Sequence, residues 1–316
     1  MTLALDEWLG VVGREYVDSF VPAGGGAVRF VVADAATLEQ AAERLRGMAG
    51  ASGLHVVAVD LSATKLHMLQ NLFFAISTAL PWEAMLRAKL AGFLEEAGYR
   101  ARAETTGIDA MAAAISVAPH LLRRQFNQWL TRTVWHDGSL AQDFRNAMIA
   151  LLTAELTGED QPLADVVLEW LQGTLRTVAP LRRAHIGARI GRQNARAMLM
   201  SLCHWVRTCS RPDGGGKGIL LLLDIRRLNR EPREVADGLR YSPAAVMDCY
   251  EVLRQVIDDA EHFSGLFLVA LADDALLNDN PRRSLMQYTA LQMRVADDVH
   301  PHERDNPLAP LVRLAA

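Results

Sequence analysis

The chain has 316 residues, room for one large α/β domain or two ordinary ones. Half of its residues are hydrophobic, which supplies a sizeable core and excludes a disordered chain. Its formal net charge of −4 excludes bulk attraction to nucleic acid or to a membrane surface. No run approaches the roughly eighteen apolar residues of a membrane span.

The first segment, MTLALDEWLG, carries acids and no basic cluster, so it does not read as a secretory signal. Three cysteines, Cys203, Cys209 and Cys249, without CxxC spacing, point to a reducing compartment rather than a disulfide framework. The expectation is a soluble, cytoplasmic protein.

Leu5, Trp8, Leu9, Val12, Tyr16 and Phe20 predict one apolar helical face over residues 3–20, ended by Pro22 and Gly24-Gly25-Gly26. Residues 28–33 (VRFVVA) predict a strand and residues 34–47 a helix. A strand, a turn and a helix in that order is where a phosphate-binding loop would sit. Such a loop needs glycines, a lysine and a hydroxyl. The turn here, Ala33-Asp34-Ala35-Ala36-Thr37-Leu38-Glu39-Gln40, has no glycine and no lysine, and its two acids would repel a triphosphate.

Residues 54–60 (LHVVAVD) predict a second strand, and Leu66, Leu69, Phe73, Ile76 and Leu80 a helix that Pro81 interrupts. Residues 82–97, 107–136, 139–156, 162–175 and 186–209 all read as helix, too much for one crossover, so the region is expected to be a helical subdomain.

Between Glu169 and Asp213 there is no acid, while Arg176, Arg182, Arg183, Arg189, Arg192, Arg196, Arg207 and Arg211 are basic. On the predicted 186–209 helix, Arg189, Arg192 and Arg196 would share one face with His185. Such a stripe suits a phosphate backbone, an acidic partner, or the acid-rich last third of the same chain. RPDGGGKG (residues 211–218) has the composition of a phosphate loop, but a strand follows it where a helix is needed, so it reads as a flexible turn.

That next strand is residues 218–224 (GILLLLD), an unbroken aliphatic run expected at the centre of a parallel sheet. It ends on Asp224, at the strand end where open α/β sheets place ligands. An acid there can hold magnesium, and a second acid often follows it to orient water; here Ile225 follows. A helix over 241–261, a strand over 265–272 (GLFLVALA), a helix over 284–299 and a last strand over 308–314 complete the pattern. The cysteines and histidines form no metal-ligand spacing, and neither a GxSxG elbow nor an HExxH helix occurs.

The expected fold is α/β: an AAA+-like P-loop NTPase fold with a five-stranded, largely parallel sheet and a large helical insertion. Residues 1–82 and 211–316 would form the α/β core and 83–210 the insertion. The sequence resembles the BREX-system ATP-binding family, P-loop proteins of bacterial anti-phage defence islands. The resemblance is carried by EWLGVVGREYVDSFVPAGGGAVRFVV, VAVDLSATKLHMLQNLFFAI, IGRQNARAMLMSL, GILLLLDIRRL and YSPAAVMDCYEVLRQVIDDAEHFSGLFLVALA, in that order.

The resemblance implies a glycine-rich loop ending in lysine and a hydroxyl residue. Those last two positions fall on Glu39 and Gln40, and the loop glycines on Ala33, Ala36 and Leu38. The magnesium acid would be Asp224, and the water-activating acid is replaced by Ile225. The implied function is a pseudo-ATPase: a non-catalytic scaffold or regulator, with ATP and magnesium disfavoured and no other cofactor expected. It would dock onto an active ATPase, another defence subunit or a second copy, with Arg226, Arg227, Arg282 and Arg283 as arginines acting in trans. The alternatives are a DNA-binding module using Arg182, Arg183, Arg189, Arg192 and Arg196, or an ATPase with an unconventional site.

Overall fold

A computed structural model describes residues 2–99, 107–209, 216–278, 280, 282–295 and 306–315. The chain forms two compact units, Met1–Ile76 with Pro212–Ala316, and Ser77–Arg211.

The first unit is a parallel sheet of six strands in the order β1-β6-β2-β5-β4-β3. They are β1 (Leu3–Ala4), β2 (Gly26–Val32), β3 (His55–Asp60), β4 (Ile219–Asp224), β5 (Leu266–Ala272) and β6 (Leu311–Ala315). The sixth strand corrects the expected five. β1 is two residues long and pairs Leu3 with Leu314 and Ala4 with Ala315 at the sheet edge. So short a strand leaves no alternation in sequence, and its backbone is recruited by β6 rather than by its own side chains.

The aliphatic run of β4 lies between β5 and β3, and its first five residues are buried. Gly218 admits it. A Cβ there would stand 2.5 Å from the Gly265 carbonyl oxygen, which accepts from the Ile219 N–H at 2.7 Å.

Helix α1 (Leu5–Val12) continues as π-helical turns over Gly13–Phe20, and the expected apolar face holds across both windings from Leu5 to Tyr16, whereas Phe20 is exposed. With α2 (Ala35–Ala51) it covers one face of the sheet: Trp8, Leu9 and Val12 pack with Leu38, Ala41 and Leu45 against Leu220, Leu222, Phe267 and Val269. This burial is the main stabilising term for the unit, since each fully buried large aliphatic or aromatic side chain contributes about 1.5–3 kcal/mol.

Helix α3 (Leu69–Ala79) spans the division between the units. The second unit holds α4 (Trp82–Glu96), α5 (Ile108–Ala114), α6 (Pro119–Leu130), α7 (Gln142–Thr157), α8 (Gln161–Gln172) and α9 (Ala195–Thr208). Phe93, Phe126 and Trp129 pack together, Phe126 stacked on Trp129 and edge-on to Phe93, with ring centroids 5.3–5.9 Å apart.

Two expected helices are broken. Residues 107–136 divide at Ser116, which takes a left-handed φ of 58°, and at Ala118, which Pro119 keeps extended. Residues 186–194 are not helical, because the Asn194 side chain accepts from the Gly191 N–H and donates to the Arg189 carbonyl, and α9 starts only at Ala195.

Back in the first unit, Ser242 caps α10 (Pro243–Asp258), shorter than the expected 241–261. The segment expected as helix over 284–299 is a 3₁₀ turn at Leu285–Gln287 followed by α11 (Thr289–Val295), and residues 296–299 lie outside the described ones.

Candidate functional site

The carboxyl ends of β3, β4 and β5 meet α2 at a cleft of about 430 Å³ lined by Glu39, Glu43, Arg46, Asp60, Asp224 and Arg226 together with apolar side chains from the strand ends and α2. Its construction follows from local sequence. β2 ends at Val32, the chain turns, and Asp34 caps α2. The Asp34 carboxylate accepts the Thr37 N–H at 2.9 Å and the Thr37 hydroxyl at 2.9 Å. Those two hydrogen bonds, the backbone one foremost, hold its carboxyl below the usual range. The helix N-terminus that would face an anion is therefore served by the protein's own carboxylate. Glu39 and Gln40 follow, both exposed on α2.

Asp224 ends β4 beside Asp60 of β3, its partner in register. Two residues on, Arg226 folds back over it. Nε lies 3.0 and 3.1 Å from the two carboxylate oxygens, Nη2 lies 2.5 Å from Oδ2, and the Arg226 N–H donates to Oδ1 at 3.1 Å. The two side chains are only 29% and 25% exposed, so this pair is partly desolvated. Its hydrogen bonds to Asp224, with the charges of Asp224, Glu39 and Asp273 adding, raise the Arg226 pKa above the usual arginine value against the cost of burial. Ile225, between them, is 1% exposed and extends the sheet by donating to the Leu271 carbonyl at 3.0 Å.

The other arginines after β4 and β5 are engaged differently. Arg227 lies 3.9 Å from exposed Asp237, and Arg230 pairs with Asp273 at 2.7 Å. Arg283 is 1% exposed and donates to the carbonyls of Leu228 and Tyr241 at 3.2 and 2.8 Å, with Glu231 at 3.3 Å. It ties together the loops after β4 and β5 and faces no open surface. Arg282 is exposed, and its N–H donates to Asn280.

In the second unit Arg182, Arg183, Arg189, Arg192 and Arg196 are all exposed. Arg182 and Arg183 sit on a 3₁₀ turn at Ala179–Ala184, Arg189 and Arg192 on the irregular stretch after it, and Arg196 on α9. The expected single helical face with His185 is therefore replaced by a winding ridge.

Of the glycine-rich RPDGGGKG stretch, residues 211–215 lie outside the described residues, and Lys217 donates its N–H to the Gly53 carbonyl at the entry to β4. Among the described residues there is no group of three or more His, Cys, Asp or Glu side chains placed to hold a metal ion, and no helix is long and apolar enough to cross a membrane.

Sequence reasoning placed Asp224 at the strand end and Arg226 in the basic loop after it, but not their pairing. The available signal was the D-x-R spacing, which lets an arginine fold back on the acid two residues before it. The Asp34 cap was legible as D-x-x-T before a helix.

No match was found among curated proteins or among solved structures. The family model for BREX system ATP-binding protein BrxC/D matches residues 38–316. The match begins inside α2, so the resembling stretch over residues 7–32 lies outside it, whereas Glu39, Gln40 and Asp224 lie within it. The chain belongs to the BREX system ATP-binding BrxC/D family, which implies a role in a bacterial defence system alongside other subunits.

Proposed function

We propose that this chain is a non-catalytic, P-loop-fold subunit of a bacterial defence complex. Its nucleotide site is satisfied from within, and the retained fold serves as scaffold or regulator for an active partner.

The observation that carries this reading is the Arg226–Asp224 clamp. A divalent ion held by Asp224 would stand where the guanidinium now stands, and the guanidinium already supplies the positive charge and the directed bonds that the carboxylate needs. The phosphate side is met in the same way, since Asp34 caps the helix that would face an anion. Glu39, at the position the resemblance assigns to the lysine, adds negative charge to a cleft already lined by Glu43, Asp60 and Asp224. These residues do not fit a magnesium triphosphate, and no hydrolytic step is derived through one. With Ile225 buried where a second acid would stand, the end of β4 lacks the acid that orients water in P-loop enzymes.

The test is calorimetric titration of Mg·ATP into the purified protein, with thermal unfolding read in parallel. No heat and no shift in Tm are expected. Micromolar binding would refute the self-satisfied site. Turnover abolished by Asp224→Ala would refute the non-catalytic reading altogether.

A further inference from the structure

The arginine ridge of the second unit is built differently from an ordinary solvated face. From Leu181 to Ala195, buried apolar anchors alternate with exposed arginines: Leu181 and Ile186 are fully buried and Ile190 is 5% exposed, while Arg182, Arg183, Arg189 and Arg192 point outward. The path is fixed by hydrogen bonds rather than by helix. The Asn146 side chain donates to the His185 carbonyl at 2.9 Å, Trp170 Nε1 donates to the Ala188 carbonyl at 3.0 Å, and Asn194 closes the turn at Gly191. Arg189 folds back on the Arg176 carbonyl and brings these two exposed arginines together.

No acid lies between Glu169 and Asp213 to neutralise the ridge from within, and Arg183 pairs with Asp160 at 2.8 Å. Among the described residues, no hydrogen bond or ion pair engages the guanidinium of Arg182 or Arg192. The protein as a whole is acidic, so this charge is local.

We propose that this ridge binds the phosphate backbone of double-stranded nucleic acid without reading its sequence. Two observations favour a polyphosphate over an acidic protein. Protein interfaces centre on exposed aromatic or aliphatic anchors, whereas the aliphatic residues of this ridge, Leu181, Ile186 and Ile190, all point inward and leave the arginines outside together with His185, Gly187 and Gln193. Every cation of the ridge is arginine, whose forked donors match phosphate oxygens two at a time, and none is lysine. The ridge belongs to the second unit and the nucleotide site to the first, and the proposal would stand even if Mg·ATP bound there.

The experiment is fluorescence anisotropy of the full chain with a labelled 20-base-pair duplex of mixed sequence, from 50 to 200 mM salt. If Arg176, Arg182, Arg189 and Arg192 each neutralise one phosphate, log K falls with log salt at a slope of about −3.6, a loss of about 150-fold across that range. Arg182→Ala/Arg192→Ala should reduce the slope by about 1.8, and Arg182→Lys/Arg192→Lys should restore it. Both pairs are exposed, so Tm should stay at the wild-type value. No binding at 50 mM salt, or a slope unchanged by the alanine pair, would overturn the proposal. So would binding to poly-glutamate without binding to the duplex, which would assign the ridge to an acidic protein partner.

Discussion

Removing either member of the Arg226–Asp224 pair should cost stability, and removing both should cost less than the sum. Opposite charges about 4 Å apart attract by roughly 4 kcal/mol in surroundings with an effective dielectric of about 20, against about 1 kcal/mol in water. With 29% and 25% of the two side chains exposed, solvent screens part of this and desolvation offsets more. Arg226→Ala does not orphan the carboxylate completely, since the backbone N–H at position 226 still reaches Oδ1. The expected coupling is therefore about 1–2 kcal/mol, between a surface pair and a buried one. For a unit of this size that corresponds to about 3–6 °C in Tm.

The assay is a double-mutant cycle of Arg226→Ala, Asp224→Ala and the double variant, read by urea and thermal unfolding. It should be repeated with 5 mM magnesium chloride. Wild type should ignore the ion, whereas Arg226→Ala, with Asp224 freed beside Asp60 of the neighbouring strand, should gain a magnesium-dependent rise in Tm. Additive single-variant effects would refute the pairing. A wild-type response to magnesium equal to that of Arg226→Ala would refute the idea that the guanidinium stands in the cation's place.

Two further outcomes follow from other side chains. Arg283→Ala should destabilise the first unit by about 3 kcal/mol, because it leaves the Leu228 and Tyr241 carbonyls unpaired in the interior. Arg283→Lys should recover little of that, since one ammonium cannot reproduce the fork, and equal stability of the three proteins in urea would contradict this role. Glu251 is held at about 2 by hydrogen bonds from Arg254, Tyr288 and Gln255. A depressed carboxylate stabilises the fold above its ordinary pKa of 4.5 and loses that contribution as pH falls toward 2. Tm should therefore drop between about pH 5 and 2 more steeply in wild type than in Glu251→Gln, and parallel pH profiles would refute it.

How much of this was legible beforehand varies from element to element. The β4 run, the strand over GLFLVALA and the apolar face from Leu5 to Tyr16 were read correctly, because burial on one or both faces writes itself into the order of side chains, whereas Phe20, placed on that face, is exposed. β1 was missed because two residues carry no period. The 186–209 helix was over-extended because its first apolar positions, Ile186 and Ile190, serve as anchors of an irregular chain. Asn194 stops the helix there through its side chain, which periodicity does not see.

The sequence by itself determined what is absent: a turn without glycine or lysine, Ile225 after Asp224, and no acid between Glu169 and Asp213. These are facts of composition and need no coordinates. Only the tertiary structure decided what fills the gaps. Arg226 could have reached outward to another subunit, as its position in a basic loop suggested, and Arg283 likewise. The folded chain turns the first onto Asp224 and buries the second among carbonyls, because a partly desolvated carboxylate and unpaired backbone oxygens are satisfied by the nearest donors that the packing delivers. Sequence spacing gives the reach of a side chain, and the folded chain fixes where it points.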